Sequence, residues 1–329
     1  MSMSRTGSSL LRTGLLAFLA ALVVSSIALA DSPNNQPLAK LTWSLGAPIP
    51  NAHQESAGTV VKNQYYVISG SSLSCSDAGG GTLTNAVDIY DPRTDTWSSG
   101  PPVNIARNEY PLAEQVGNNV FLIGGTSPCG ATVRQTEMLD LSTNTWTVLS
   151  PTADLPPPLD GGEHCGVAID NDIYYFQSSG IGVFDTVSQT WTVLPASPLL
   201  TPSLFCRATR VGNQAVITGA GDGSADPFSQ RILVFDKPTG SVTLLGSVTV
   251  SLAEHTSALL RGRVVVAGGD FSGERSVQAI HLSQSDVTTI TPLPVNSDDA
   301  VGGVIGDRYY ILGGNNTASN LPPVLIGTP

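Results

Sequence analysis

Val120-Phe121-Leu122-Ile123-Gly124-Gly125, then Met138-Leu139-Asp140, then Thr145-Trp146, is the stretch on which the reading of this chain turns. An apolar run ends in a glycine pair. A second apolar run ends in Asp, and a Trp stands six residues beyond that Asp. Short β-branched and aromatic runs of this kind suit strands buried on both faces. A glycine pair closing such a strand permits close backbone approach. A single copy would say little, but a pattern that returns at a fixed period decides an architecture.

It does return. Apolar runs ending in glycine occur at residues 65–70, 120–125, 174–180, 215–221, 264–269 and 309–314. The Asp-x5-Trp element occurs at Asp91/Trp97, Asp140/Trp146 and Asp185/Trp191, and it degrades to Asp236/Val242 and His281/Val287. The Asp-type positions are 49, 45, 51 and 45 residues apart. A period near 50, punctuated by Gly117-Asn118-Asn119, Asp170-Asn171-Asp172, Gly212-Asn213 and Gly306-Asp307, predicts propeller blades of four strands. Six glycine elements are followed by only five Trp-type strands. Leu41-Thr42-Trp43 reads as a fourth strand with no blade before it, and residues 300–326 read as three strands with no fourth. The strand around Trp43 is therefore expected to complete the last blade and pair an otherwise open edge. No helical periodicity appears beyond the first thirty residues.

This pattern resembles the Kelch repeat of the galactose-oxidase-like propellers. That family has a hydrophobic run, a Gly-Gly pair and two aromatics separated by six residues, as at Tyr90/Trp97 and Phe184/Trp191. The resemblance implies an all-β, six-bladed Kelch-type β-propeller over residues 41–329. The Arg common at the start of Kelch repeats survives only at Arg107. Exported bacterial Kelch-like propellers include sialic-acid mutarotases, and this precedent makes a sugar isomerase one reading of the chain. Galactose oxidases carry extra domains and a Cys–Tyr copper site, plant specifier proteins an iron-binding Glu-x3-Asp-x3-His stretch, and ubiquitin adaptors a fused partner domain. None of these features is found here.

Residues 1–30 read as a secretory signal peptide: Arg5 and Arg12, an apolar stretch over residues 15–24, and Ala28-Leu29-Ala30 as the cleavage signal, with the cut after Ala30. Residues 31–40 read as a short polar leader. No other stretch is long and apolar enough to span a membrane. An exported monomer, secreted or periplasmic, is the expectation. The chain carries a net charge of −11, and losing residues 1–30, with two Arg and no acid, takes it to −13. With no basic patch, nucleic acid is excluded as a partner. Of the four cysteines, Cys75 and Cys129 follow the glycine element in neighbouring blades and are the candidate disulfide. Cys165 and Cys206 lie near the starts of two innermost strands, offset by one residue, and read equally well as a second disulfide or as two buried thiols.

One face collects the long loops: 71–85, 126–136 and 220–230, with the proline-rich inter-blade segments 98–108, 150–162 and 194–204. Binding usually uses such a face. Aligning the six innermost strands places a column at the channel rim of that face: Glu55, Tyr110, Glu163, Phe205, Glu254 and Asp299. The next column holds His164 and His255, with Arg207 and His53 close by. Three readings compete. Polar residues line a wet channel; clustered carboxylates hold Ca²⁺, although no dedicated ligand spacing is seen; or the rim binds a small molecule, with acids whose pKa values are driven apart. No transition-metal site is expected. The leading expectation is a protein- or glycan-binding module acting through the long-loop face. The alternative is a sugar isomerase or mutarotase that draws its catalytic groups from Glu163, His164, Glu254, His255 and Arg207.

Overall fold

Asp91, Asp140 and Asp185 each end the third strand of a repeat, and each turns the chain with its own carboxylate. Asp140 Oδ1 accepts from the Ser142 amide at 2.7 Å, Asp185 Oδ1 from Val187 at 2.8 Å, and Asp91 Oδ1 from Arg93 at 2.9 Å. The hairpin closes through a left-handed residue just before the fourth strand: Asp95 (φ 53°), Asn144 (φ 55°) and Gln189 (φ 57°). The strands then run back in register, so that Tyr90 faces Trp97, Leu139 faces Trp146 and Phe184 faces Trp191. The recurring Asp and Trp are thus a turn cap and a cross-strand partner.

The computed structural model describes residues 38–72, 81–127, 130–160, 164–200, 205–221, 227–269, 274–315, 319 and 321–329. The expected signal peptide, most of the leader, Glu163, Cys75 and Cys129 lie outside the described residues.

Six antiparallel four-stranded sheets form the ring. The chain opens with β1 (Thr42–Pro48). Blade 1 is β2 (Ala57–Val61), β3 (Gln64–Ile68), β4 (Val87–Asp91) and β5 (Thr96–Ser99). Blade 2 is β6 (Leu112–Val116), β7 (Asn119–Ile123), β8 (Glu137–Asp140) and β9 (Thr145–Val148). Blade 3 is β10 (Cys165–Ile169), β11 (Asp172–Gln177), β12 (Gly180–Asp185) and β13 (Thr190–Leu194). Blade 4 is β14 (Arg207–Val211), β15 (Gln214–Thr218), β16 (Arg231–Asp236) and β17 (Ser241–Ser247). Blade 5 is β18 (Thr256–Leu260), β19 (Arg263–Ala267), β20 (Val277–His281) and β21 (Asp286–Thr289). Blade 6 is β22 (Val301–Ile305), β23 (Arg308–Leu312) and β24 (Pro323–Thr328), with β1 as its outer strand. Thr42 pairs with Thr328 and Trp43 with Gly327, which closes the ring as the repeat count requires. Leu38 packs with Leu41 between blades 5 and 6, so the end of the leader joins the packed chain.

The core is six seams, each between two adjacent blades; Phe121 and Ile123, for instance, meet Ile173, Tyr175 and Phe184 between blades 2 and 3. Four tryptophans stitch the seams. Each outer-strand indole donates to a backbone carbonyl in or just after the outer strand of the preceding blade: Trp97 to Ala47 of β1 at 3.0 Å, Trp146 to Pro101 at 3.0 Å, Trp191 to Ala153 at 3.0 Å and Trp43 to Thr291 at 3.1 Å. Trp43 therefore does in blade 6 what the repeat Trp does in blades 1–3. Val242 and Val287 cannot donate, and blades 4 and 5 lack this stitch. Buried polar residues of the third strands hold the linkers from inside. Asp88 accepts from Asn51 Nδ2 at 2.9 Å, Glu137 from the Asn104 amide at 2.8 Å, and Gln278 Oε1 from the Thr249 amide at 2.8 Å. Arg107 is wholly buried, pairs with Glu137 at 2.8 Å and donates to Gln135 O at 2.9 Å, so the surviving repeat arginine is a linker clamp.

Cys165 and Cys206 form a disulfide between blades 3 and 4, with Cα atoms 5.4 Å apart. Their one-residue offset in the repeat does not separate them. Cys206 stands ahead of β14, just after the left-handed residue Phe205, so strand alternation does not govern where it points.

Candidate functional site

Each innermost strand starts from a turn. Its rim residue is left-handed in every described blade: Glu55 (φ 50°), Tyr110 (φ 54°), Phe205 (φ 55°), Glu254 (φ 57°) and Asp299 (φ 54°). Five non-glycine residues in this sparsely populated region at one repeat position are a property of the fold, held by their surroundings. Backbone bonds run around the rim. The Glu55 amide donates to Asp299 O at 3.3 Å and the Tyr110 amide to Glu55 O at 3.1 Å, which links blades 6, 1 and 2. The second position of the innermost strands is small throughout: Gly58, Ala113, Gly166, Ala208, Ser257 and Gly302. A Cβ on Gly166 would lie 2.4 Å from Leu112 of the next blade, and one on Gly58 would lie 2.7 Å from Val301. The inner strands converge on the axis only because these positions carry almost no side chain.

What remains between them is a cavity of about 230 Å³, lined among others by Thr59, Tyr65, Tyr110, Glu114, His164, Arg207 and Ser257. Arg207 opens β14 at a position filled elsewhere by Ala57, Leu112, Cys165, Thr256 and Val301. Its guanidinium lies 4.4 Å from the centre of the Tyr110 ring, and Nη1 donates to Cys206 O at 2.9 Å. Among the described residues it has no ion-pair partner. The Tyr110 hydroxyl donates to Asp299 Oδ1, and Glu55 Oε2 accepts from Asn108 Nδ2 at 2.9 Å. Burial pushes the Asp299 carboxyl up to about 7; the Tyr110 hydrogen bond and Arg207 oppose this, while Glu55 and Asp298 add to it. Burial likewise raises Tyr110 well above the usual phenol range, reinforced by the charges of Asp299 and Glu254. The structure thus joins Arg207, Tyr110 and Asp299, from blades 4, 2 and 6, at one channel mouth. Glu254 lies within electrostatic reach of Tyr110, and Phe205 is half-buried beside them.

The histidines serve the seams. His255 is fully buried and takes Thr218 Oγ1 of blade 4 at 2.8 Å; a Cβ on Gly219 would lie 2.6 Å from its ring. Burial, then the Arg207 charge, holds it well below the usual imidazole range, so it is neutral. His164 stacks on Tyr175 at 4.2 Å and packs against Gly124 of blade 2. His53 bonds Asp88 at 3.0 Å and Ser69 O at 2.5 Å. His164 and His255 are therefore both packed between blades, and His164 also borders the cavity. Among the described residues no group of three or more His, Cys, Asp or Glu could hold a metal ion.

Glu114 was missed by the sequence reading. It occupies the third position of its strand, where the other blades carry Thr59, Val167, Thr209, Ala258 and Gly303, and a lone acid in that column is a readable signal. Burial raises its carboxyl to about 7, against the opposing Ala168 amide and Arg210 charge.

Comparison with known proteins agrees with this geometry. The model described as the Kelch motif matches residues 58–104 and 110–152, which are blades 1 and 2. The chain is a six-bladed β-propeller that carries Kelch motifs in its first two blades. The Kelch-like protein terF of Aspergillus terreus is 25% identical over 68% of this chain and 54% of its own length. A galactose oxidase of Gibberella zeae is 31% identical over 47% of this chain and 23% of its own. This chain thus spans about half or less of the length of these curated relatives. The solved structure of YjhT superposes with a TM-score of 0.66 at 14% identity, covering 86% of this chain and 96% of that one. The fold is shared. No described helix is long and apolar enough to cross a membrane, and the Cys165–Cys206 disulfide is compatible with an extracellular protein.

Proposed function

We propose that this Kelch propeller is an exported recognition module whose long-loop face presents the central channel to a small anionic group, carried by a glycan or by the carboxyl end of a peptide. One observation carries this reading: Arg207, alone in its column as a charged residue, points its guanidinium into the cavity over Tyr110 with no carboxylate partner among the described residues. An arginine in a half-buried channel is stabilised by an anion that brings two acceptors to its planar fork. The signal-peptide reading of residues 1–30 and the disulfide support export. A ligand that binds only the folded chain raises its stability as RT ln(1 + [L]/Kd). A thermal-shift screen with sugar acids, neutral sugars, short peptides and Ca²⁺ should therefore give a shift with anionic compounds that vanishes in Arg207→Gln. A shift with neutral sugars alone, retained in Arg207→Gln, would defeat the reading.

A second reading has its own observation. Asp299 and Glu114 both sit near neutrality, so one can hold a proton while the other has released it. A sugar isomerase or mutarotase needs such an acid and base, with Arg207 anchoring the substrate. An anomer-exchange assay on the anions found above, with Asp299→Asn and Glu114→Gln, decides between binding and turnover.

A further inference from the structure

Glu114 and Arg207 line the same cavity, carry opposite charge potential, and do not meet. Glu114 stands on β6 of blade 2 and Arg207 opens β14 of blade 4. Neither has an ion-pair partner among the described residues. Arg210, the cation nearest in effect to Glu114, already pairs with Asp170 at 2.9 Å. Leaving two opposite charges unpaired in one half-buried space is costly, whereas bringing them together would relieve both. The geometry prevents it. The Arg207 head lies over the Tyr110 ring at the rim, whereas Glu114 stands two residues further into its strand than Arg207 does in β14. At about 3.3 Å per strand residue, the two backbone positions are about 7 Å apart along the channel, and the reach of the Arg207 side chain toward the rim brings the heads to on the order of 10 Å apart. Tyr65 lines the same cavity: its phenol feels both charges and donates to Gly302 O at 2.9 Å. Hydroxyls of Thr59 and Ser257 and the ring of Tyr110 line the same space.

We infer that the ligand of this channel is an extended zwitterion, with its anionic end on Arg207 at the mouth and its cationic end on Glu114 about 10 Å deeper. This rests on the anion reading above and adds the second pole. A cation beside Glu114 returns its carboxyl to the ionised state, so ligand and protein complete each other's charges. An extended tripeptide spans about 10 Å between its ends, which makes triglycine a suitable probe.

The test is calorimetric titration of the folded chain, disulfide intact, with triglycine, N-acetyltriglycine (anion only) and triglycinamide (cation only). Triglycine should bind about tenfold or more tighter than either blocked form, a margin of about 1.4 kcal/mol. Glu114→Gln should erase its advantage over N-acetyltriglycine while leaving N-acetyltriglycine affinity within about twofold, and Arg207→Gln should weaken both. Melting of each variant close to the parent chain excludes misfolding as the cause. Equal binding of triglycine and N-acetyltriglycine, with both lost in Arg207→Gln, would overturn the zwitterion and leave the anion site standing. Equal binding that survives Arg207→Gln would overturn both. No binding of any of the three peptides would also overturn the zwitterion, and the sugar acids of the earlier screen then decide the anion site alone.

Discussion

The hydroxyl of Tyr110 donates to the carboxylate of Asp299 at the channel mouth, joining blade 2 to blade 6 past blade 1. Both residues are left-handed and both are buried, so the bond is held by two fixed backbones rather than by mobile side chains. It also pulls the Asp299 carboxyl down against the burial that raises it. Tyr110→Phe should therefore move the Asp299 titration above its present value near 7. The cost in stability should be about 1 kcal/mol, the typical net worth of one hydrogen bond. Carboxyl NMR across the pH range reads the first and chemical denaturation the second. A titration that moved down would show that Tyr110 does not stabilise the ionised form.

Two arginines of the same chain should behave in opposite ways. Arg107 is fully buried and ion-paired with Glu137, so Arg107→Met leaves a buried carboxylate with only the Asn104 and Ile105 donors. The expected loss is about 3–5 kcal/mol. Arg207→Met removes an unpaired charge from a wet channel and should leave stability within about 1 kcal/mol, while abolishing the ligand response. Urea melts of the two variants make the comparison. An equal loss for both would mean that Arg207 is structural too.

The blade count was legible because the turn-capping Asp and seam-stitching Trp recur with their spacing intact at Asp91, Asp140 and Asp185. Closure was legible because Trp43 had no blade before it. The position of the rim column was legible in the five blades where it is described, since the residue two places before the innermost strand keeps its place in the repeat. What the pattern concealed was direction. His164 and His255 follow the rim acids in sequence, yet His255, after the left-handed Glu254, packs into the seam beside Gly219, and His164 packs against Tyr175 and Gly124. Glu114 was concealed because it is the one acid at the third position of the innermost strands, so no recurring column marks it. The partner of Cys165 lay open for the same reason as the histidines: Cys206 precedes its strand, and alternation there is no guide.

Removing the Cys165–Cys206 bond should weaken the fold without opening the ring. The bond spans a sequence separation of 41 residues, for which the loop-entropy account gives about 4 kcal/mol. The double variant Cys165→Ala/Cys206→Ala should lose stability of that order, and a reductant should have little further effect at this pair. Because the bond sits directly before Arg207, the same variant should also weaken binding of anionic ligands. Unchanged denaturation midpoints would mean that the blade 3–4 seam holds by packing alone.

Deleting residues 41–46 should cost more than any single Trp. The deletion removes buried Leu41, the Trp43–Thr291 bond and the pairing of β1 with β24, and it leaves β24 as an open edge. A loss of several kcal/mol corresponds to a fall in melting temperature on the order of 10 °C or more. Trp43→Phe, which keeps the strand and loses only the indole donor, should cost about 1 kcal/mol. If the truncated chain melted with the parent, ring closure by this strand would not be what stabilises the propeller.

The last prediction concerns pH. Glu114 and Asp299 have folded values near 7, above those of an unfolded carboxyl, so the native chain holds protons that the unfolded chain has released. Their contribution is fully present below about pH 4 and is lost as pH rises through about 7. His255 acts in the opposite sense. Held neutral by burial, it makes the native chain less stable as pH falls below the ordinary imidazole value. The two effects partly cancel in the wild-type profile, so the variant difference is the informative quantity. The melting temperature of Glu114→Gln, minus that of the parent chain, should rise steadily between about pH 5 and 8 and then level off. Because the amide cannot ionise, only the parent chain loses its proton-linked stability in that window. A flat difference would place the Glu114 titration at an ordinary carboxyl value, with its charge solvated in the channel.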